Sequence, residues 1–145
     1  MKKIVFIALL SFLSVQILPA QEVVTQDIKK LPQKAQDFIA KHFSGEKISY
    51  IKIDEELLKT DYDVTFVSGK ELEFTKDGEW KEVDCKNSAV PSEIIPANIL
   101  TYVKQNFSNL DITKIEKKSK SYEVELSNNL DLEFDKNGNF LRIDD

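Results

Sequence analysis

Cysteine, histidine and tryptophan occur once each in this chain of 145 residues, and its 20 basic side chains are outnumbered by 25 acidic ones. The lone Cys85 excludes an internal disulfide, so stability has to come from a packed core. Its thiol reads as a small half-buried hydrophobe near a strand end. One histidine, one cysteine and scattered carboxylates do not make a zinc site. His42 is the sole conventional general base, and a nucleophilic site would need it beside Cys85 or a serine, which nothing in the pattern supports. Its place in the last turn of a helix, where positive charge suits the dipole, accounts for it structurally. The shortage of Lys and Arg argues against binding to a phosphate backbone or to anionic lipid. No catalytic set, cofactor or metal is expected.

The chain does have an export signal. Lys2 and Lys3, the uncharged apolar run Ile4–Leu18 and Pro19-Ala20-Gln21 have the layout of a secretory signal peptide cut after Ala20. The 15 residues of the run fall short of the ~20 that span a bilayer, although an uncleaved anchor is the alternative. No cysteine follows the run, which argues against a lipoprotein anchor. Cleavage leaves 125 residues with 18 basic and 25 acidic side chains, a net charge of −7. That length fits one compact domain or two very small ones. The expected location is periplasmic or extracellular, with no membrane span after signal cleavage.

The mature chain repeats itself. At an offset of 64, Leu31-Pro32 meets Ile95-Pro96, Phe43-Ser44 meets Phe107-Ser108, and Ile51 meets Ile115. Four extra residues within Asp54–Asp61 change the offset to 60, where Tyr62-Asp63-Val64 meets Tyr122-Glu123-Val124. Beyond them Leu72-Glu73-Phe74 meets Leu132-Glu133-Phe134, Gly78 meets Gly138, and Trp80 meets Phe140.

Each copy predicts one helix followed by strands. Leu31, Ala35, Phe38, Ile39 and Phe43 recur at helical spacing, as do Ile95, Ile99, Tyr102, Val103 and Phe107. Phe43 and Phe107 should be matched core positions. Pro32 and Pro96 suit a first helical turn, and Gly45 and Asn109 suit a left-handed helix end. Ile48–Ile53 and Ile112–Glu116 are rich in β-branched residues. Tyr62, Val64 and Phe66, like Tyr122, Val124 and Leu126, alternate with polar residues as in a sheet with one wet face. Ser68-Gly69 and Asn128-Asn129 predict tight turns, and Asp77-Gly78 and Asn137-Gly138 predict hairpins with two positive-φ positions. The predicted fold is α+β: two tandem α-β-β-β-β units, each a helix packed on an antiparallel sheet, sharing a core or joined into one continuous sheet. The boundaries are 1–20 for the signal peptide, 21–85 and 95–145 for the repeats, and 86–94 for the connector.

The pattern Leu31-Pro32…Phe38-Ile39…His42-Phe43…Tyr62-Asp63-Val64…Gly69…Glu73-Phe74…Gly78…Trp80…Val83-Asp84-Cys85, repeated through Val90-Pro91 to Gly138, resembles the PepSY-like, beta-lactamase-inhibitor-like family of secreted bacterial proteins. The resemblance implies helix-plus-antiparallel-sheet units in tandem, secretion and no known catalysis. No residue matches an inhibitory loop that would fill an enzyme pocket.

The remaining motifs have structural readings. Asp135-Lys136-Asn137-Gly138-Asn139 lacks the spacing of a calcium loop and reads as a hairpin turn. The sequon Asn106-Phe107-Ser108 places its phenylalanine on the core stripe. Glu71/Glu73 and Asp131/Glu133 alternate with core residues and belong to the wet sheet face, not to an acid–base pocket. Trp80 and Phe140 each follow a hairpin glycine by two residues. A two-residue turn would put them on the wet face as partner-binding anchors, whereas a bulged turn would send them inward. The expectation is an exported, non-enzymatic binding module, inhibitor-like, acting on an unidentified envelope or extracellular protein such as a peptidase. The alternatives are an envelope structural or chaperone-like protein lending sheet edges and, behind it, a small-molecule enzyme.

Overall fold

The computed structural model describes residues 21–56 and 59–144. The signal-peptide reading of residues 1–20 and the cut after Ala20 lie outside the described residues. Nine strands form one open antiparallel sheet in chain order: β1 (Gln21–Thr25), β2 (Ile48–Glu56), β3 (Lys59–Phe66), β4 (Glu71–Thr75), β5 (Trp80–Asp84), β6 (Ile112–Lys117), β7 (Ser121–Leu126), β8 (Asp131–Asp135) and β9 (Phe140–Asp144). Helix α1 (Gln33–His42) precedes β2, and helix α2 (Ala97–Asn106) precedes β6. The architecture is α+β, and the strands run without a break from one half into the other, β5 pairing with β6.

Alternation builds the core. Ile51, Ile53, Val64, Phe66, Leu72, Phe74 and Val83 are buried in the first half, and Ile112, Ile115, Val124, Leu126, Leu132 and Phe134 in the second. They form one cluster with the helical residues Ala35, Ile39, Ile99 and Val103, because each strand sends alternate side chains to one face. Phe43 is 4% exposed and stacks on Phe66 at 5.6 Å. Phe107 is only half-buried, against Tyr102 at 6.4 Å, so the two positions are not the matched pair their spacing predicts. The connector is not a loose linker: Val90 and Ile94 are buried, and the Val90 N–H donates to the Ile112 carbonyl at 2.8 Å.

Several local expectations are corrected. Pro32 and Pro96 are N-caps in extended conformation, one residue before each helix. Gly45 and Asn109 are absent from the positive-φ positions, so the helices do not end in a left-handed residue. They close instead with Phe43 and Phe107 donating to the carbonyls of Ile39 and Val103. Asp77 and Asn137 do not take positive φ either; Gly78 (φ 80°) and Gly138 (φ 79°) do so alone. Each hairpin is a three-residue loop, closed by Gly78 N–H to Thr75 and Thr75 N–H to Glu79, and by Gly138 N–H to Asp135 and Asp135 N–H to Asn139. This is a type I turn finished by a left-handed residue. The Val67–Gly69 and Ser127–Asn129 turns use the same bonds, with Asn129 (φ 64°) standing where Gly69 stands.

The β2–β3 hairpin runs on past Ile53↔Tyr62 through the pairs Asp54↔Asp61, Glu55↔Thr60 and Glu56↔Lys59. The longer β2 offers a ladder to β1, a strand the sequence did not announce, which pairs from Gln21↔Glu55 to Thr25↔Ile51.

Candidate functional site

The sheet face away from the helices is built by the polar half of each alternation. Cross-strand partners point to the same face, so the register places their side chains side by side. One row runs Lys52↔Asp63↔Glu73↔Glu82↔Glu116↔Glu123↔Glu133↔Arg142. Six neighbouring strands, β3 to β8, thus each contribute one carboxylate, and the row is bounded by a cation at either end. A second row, Thr65↔Glu71↔Asp84↔Lys114↔Glu125↔Asp131↔Asp144, runs beside it. Like charges directly opposite on adjacent strands are destabilising, so this row is held together against its own repulsion.

Lysines and one arginine relieve part of it. Lys81 pairs with Glu73, Lys114 with Glu82 at 3.2 Å, Lys118 with Glu123 at 2.5 Å, and Arg142 with Glu133. Among the described residues no ammonium comes within ion-pair distance of Asp63. Burial, with Glu73 and Asp54 adding to it, pushes its carboxyl above the usual aspartate range, against the pull of Lys52. Burial raises Glu82 likewise, opposed by Lys114. At this end of the row Tyr50, Lys52, Asp63, Thr65, Glu71, Glu73 and Glu82 line a shallow groove of about 260 Å³, and Tyr50 is 41% exposed.

Trp80 and Phe140 stand on the opposite face. The bulged hairpins pair Trp80 with Phe74 and Phe140 with Phe134, and both partners are fully buried on the helix side. Phe140 stacks on Tyr102 of α2 at 4.6 Å and meets Phe134 edge-on at 5.8 Å. Lys117 lies over the half-buried Trp80 ring, 4.1 Å from its centre. The two aromatics are therefore not on the open face, where the partner-binding expectation would have put them to use. His42 sits 3.6 Å from Glu93 of the connector and against Phe38. Cys85 is buried, which pushes its thiol up to about 11.

The sequence placed Glu71, Glu73, Asp131 and Glu133 on the wet face correctly. It did not show that carboxylates from six strands line up, because cross-strand neighbours depend on turn lengths and bulges. Tyr50 was also missed, since a bulge between Ile48 and Tyr50 turns it outward.

Fold and site together define a small α+β protein whose helices cover one face of an open antiparallel sheet, the other, acidic face being uncovered among the described residues. The chain belongs to the PepSY-like family, provisionally described as beta-lactamase-inhibitor-like, whose profile matches residues 60–142. It is similar to a solved structure from Bacteroides vulgatus, provisionally described as periplasmic and of unknown function, with 48% identity and a TM-score of 0.82 over 86% of this chain and 100% of that one. A Bacteroides thetaiotaomicron structure, provisionally described as a calcium-regulated periplasmic protein, matches with 42% identity and a TM-score of 0.81 over 86% of this chain and 97% of that one. A second Bacteroides vulgatus structure, also provisionally described as periplasmic, matches at 40% identity over the same shares with a TM-score of 0.81. No curated protein matches the chain. Among the described residues no helix is long and apolar enough to cross a membrane.

Proposed function

We propose that this is an exported, non-enzymatic binding module of the periplasm that docks a protein partner on the open sheet face. The observation that carries the reading is the row of six carboxylates from Asp63 to Glu133. An intramolecular arrangement that costs stability is explained if a partner's basic side chains relieve it on binding, and such complementarity gives specificity and a fast on-rate. The groove beside Tyr50 offers an aromatic anchor, the residue type that concentrates interface energy. The relatives' periplasmic description supports the location, and the family description supports an inhibitor-like action.

The reading includes the two-copy organisation, α1 with β2–β5 and α2 with β6–β9. It is supported by the equivalent turns at Gly69 and Asn129 and by equivalent bulges opposite Glu73/Phe74 and Glu133/Phe134. The calcium regulation ascribed to the Bacteroides thetaiotaomicron relative is not carried over. Among the described residues no three His, Cys, Asp or Glu side chains stand close enough to hold an ion.

The test is capture from an envelope fraction with the immobilised mature protein, eluted by a salt gradient. A partner retained at low salt, and lost with Glu82→Gln/Glu116→Gln or Tyr50→Ala, supports the reading. Retention indifferent to these changes, or no reproducible partner together with turnover of a small substrate, overturns it.

A further inference from the structure

The two edges of the sheet are not alike. At one end the edge strand is β1, which pairs with β2 from Gln21↔Glu55 to Thr25↔Ile51. At the other, no strand among the described residues pairs with the outer side of β9, and Leu141 is 51% and Ile143 47% exposed. On the two-copy organisation proposed above, β9 stands where β5 stands in the first half. Both follow a glycine hairpin, and both carry a bulge at the same place. Yet β5 is not an edge: it pairs with β6 through Glu82, Val83 and Asp84, the residues beyond its bulge. The equivalent residues of β9 are Arg142, Ile143 and Asp144. A bulge is a usual guard of an exposed edge, but the β5–β6 junction shows that three residues beyond this one still accept a strand.

The geometry points to β9 as a dimerisation edge, on which two copies of this chain pair antiparallel about a two-fold axis at Ile143. Cys85, two residues after Val83, donates its N–H to Thr113 beside β6, so alternation turns the N–H of Val83 the same way. Ile143, its counterpart, then directs its N–H and carbonyl outward, so a two-fold at this residue makes a hydrogen-bonded pair. The charge pattern fixes the register. With Ile143 opposite Ile143, Arg142 of each copy faces Asp144 of the other, giving two opposite-charge pairs. A shift that sets Arg142 opposite Arg142 places like charges together, which is unfavourable. A head-to-tail contact that copied the β5–β6 junction would need β9 to pair with β2, the counterpart of β6, and β2 is already paired with β1. A β9–β9 contact about a two-fold is isologous and closes as a dimer.

Three paired residues a side make an interface below the ~1,000 Å² of stable complexes, so association on the order of 0.1 mM is expected. Ile143→Cys tests the register, because the two-fold places this position opposite itself at a separation a disulfide spans. Leu141→Cys is the control, since 141 does not face its own copy. Cys85, being buried, does not interfere. Air oxidation of the full mature protein should give covalent dimer roughly tenfold faster for Ile143→Cys than for Leu141→Cys, and Arg142→Glu in the Ile143→Cys background should remove the advantage. Equal rates for the two cysteines, or an advantage that survives Arg142→Glu, would overturn the proposal, including the case in which dimers form through another surface. Capture of a partner on the open face is independent of either result.

Discussion

The hairpin glycines offer an internal control for how the sheet is locked onto its helices. Gly69 and Gly78 have nearly the same backbone, with φ of 89° and 80°, but different surroundings. A methyl group at Gly69 would meet nothing within 4 Å, whereas at Gly78 it would stand 2.9 Å from Pro32 Cβ and 3.0 Å from the Ala35 backbone nitrogen. Gly69→Ala therefore bears only the cost of a left-handed alanine, about 1–2 kcal/mol. Gly78→Ala bears that cost and must also push the β4–β5 hairpin off the start of α1. Overpacking against atoms that cannot step aside adds about 1–3 kcal/mol, for a total of roughly 2–5 kcal/mol. Gly69→Asn should be close to neutral, because Asn129 already holds the equivalent place at φ 64°.

Urea unfolding followed by circular dichroism separates these cases. The midpoint should fall little for Gly69→Asn, moderately for Gly69→Ala and most for Gly78→Ala, with an unchanged slope. Equal losses for the two alanine variants would refute the reasoning. They would mean that the hairpin does not press on α1, and that backbone conformation alone explains the glycine.

Other expectations follow from burial and charge. Phe43→Ala should cost about 3–5 kcal/mol, and Phe107→Ala distinctly less because Phe107 is half-exposed; thermal melts of the two variants check the order. Cys85, with its thiol raised to about 11 by burial, should react with an aromatic disulfide reagent only after unfolding, and rapid labelling of the native protein would contradict its placement. Burial and the neighbouring Lys41 hold His42 below its ordinary 6.5, against the pull of Glu93. The unfolded chain therefore takes up a proton first as pH falls below 6.5, and stability should decline through that window. His42→Gln should flatten this part of the stability–pH curve, and an unchanged curve would show that other groups carry it.

Much of the fold was legible because two periodicities carry it. The spacing of Leu31, Ala35, Ile39 and Phe43 described α1, and the alternation of Tyr62, Val64 and Phe66 described β3, since in both cases the buried face is written into the side chains. β1 was not legible: Gln21–Thr25 shows no alternation, and its partners Ile51–Glu55 lie beyond α1 in the chain. The helix ends were misplaced for a related reason. Gly45 and Asn109 are tolerant of a left-handed conformation, but tolerance does not require it, and the turns Phe43–Glu46 and Phe107–Leu110 close without it.

The candidate site lay beyond what periodicity can give. Alternation assigns each residue to a face, which suffices to put Glu73 and Glu133 in water. It does not say which residues become neighbours, because that is fixed by the number of residues in each turn. The Lys76–Gly78 loop has three residues where the Asp-Gly signal suggested two, and that one residue brought Trp80 beside Phe74 on the covered side. The following bulge restored the register, so that Glu82 returned to a place opposite Glu73. The same pair of events recurs in the β8–β9 hairpin, where Phe140 faces Phe134 and Arg142 faces Glu133. A local turn geometry thus performs two tasks: it removes an aromatic from the open face and keeps the transverse row in register. The acidic row and the buried aromatics are consequences of one backbone feature, and a change that shortened the loop would disturb both together.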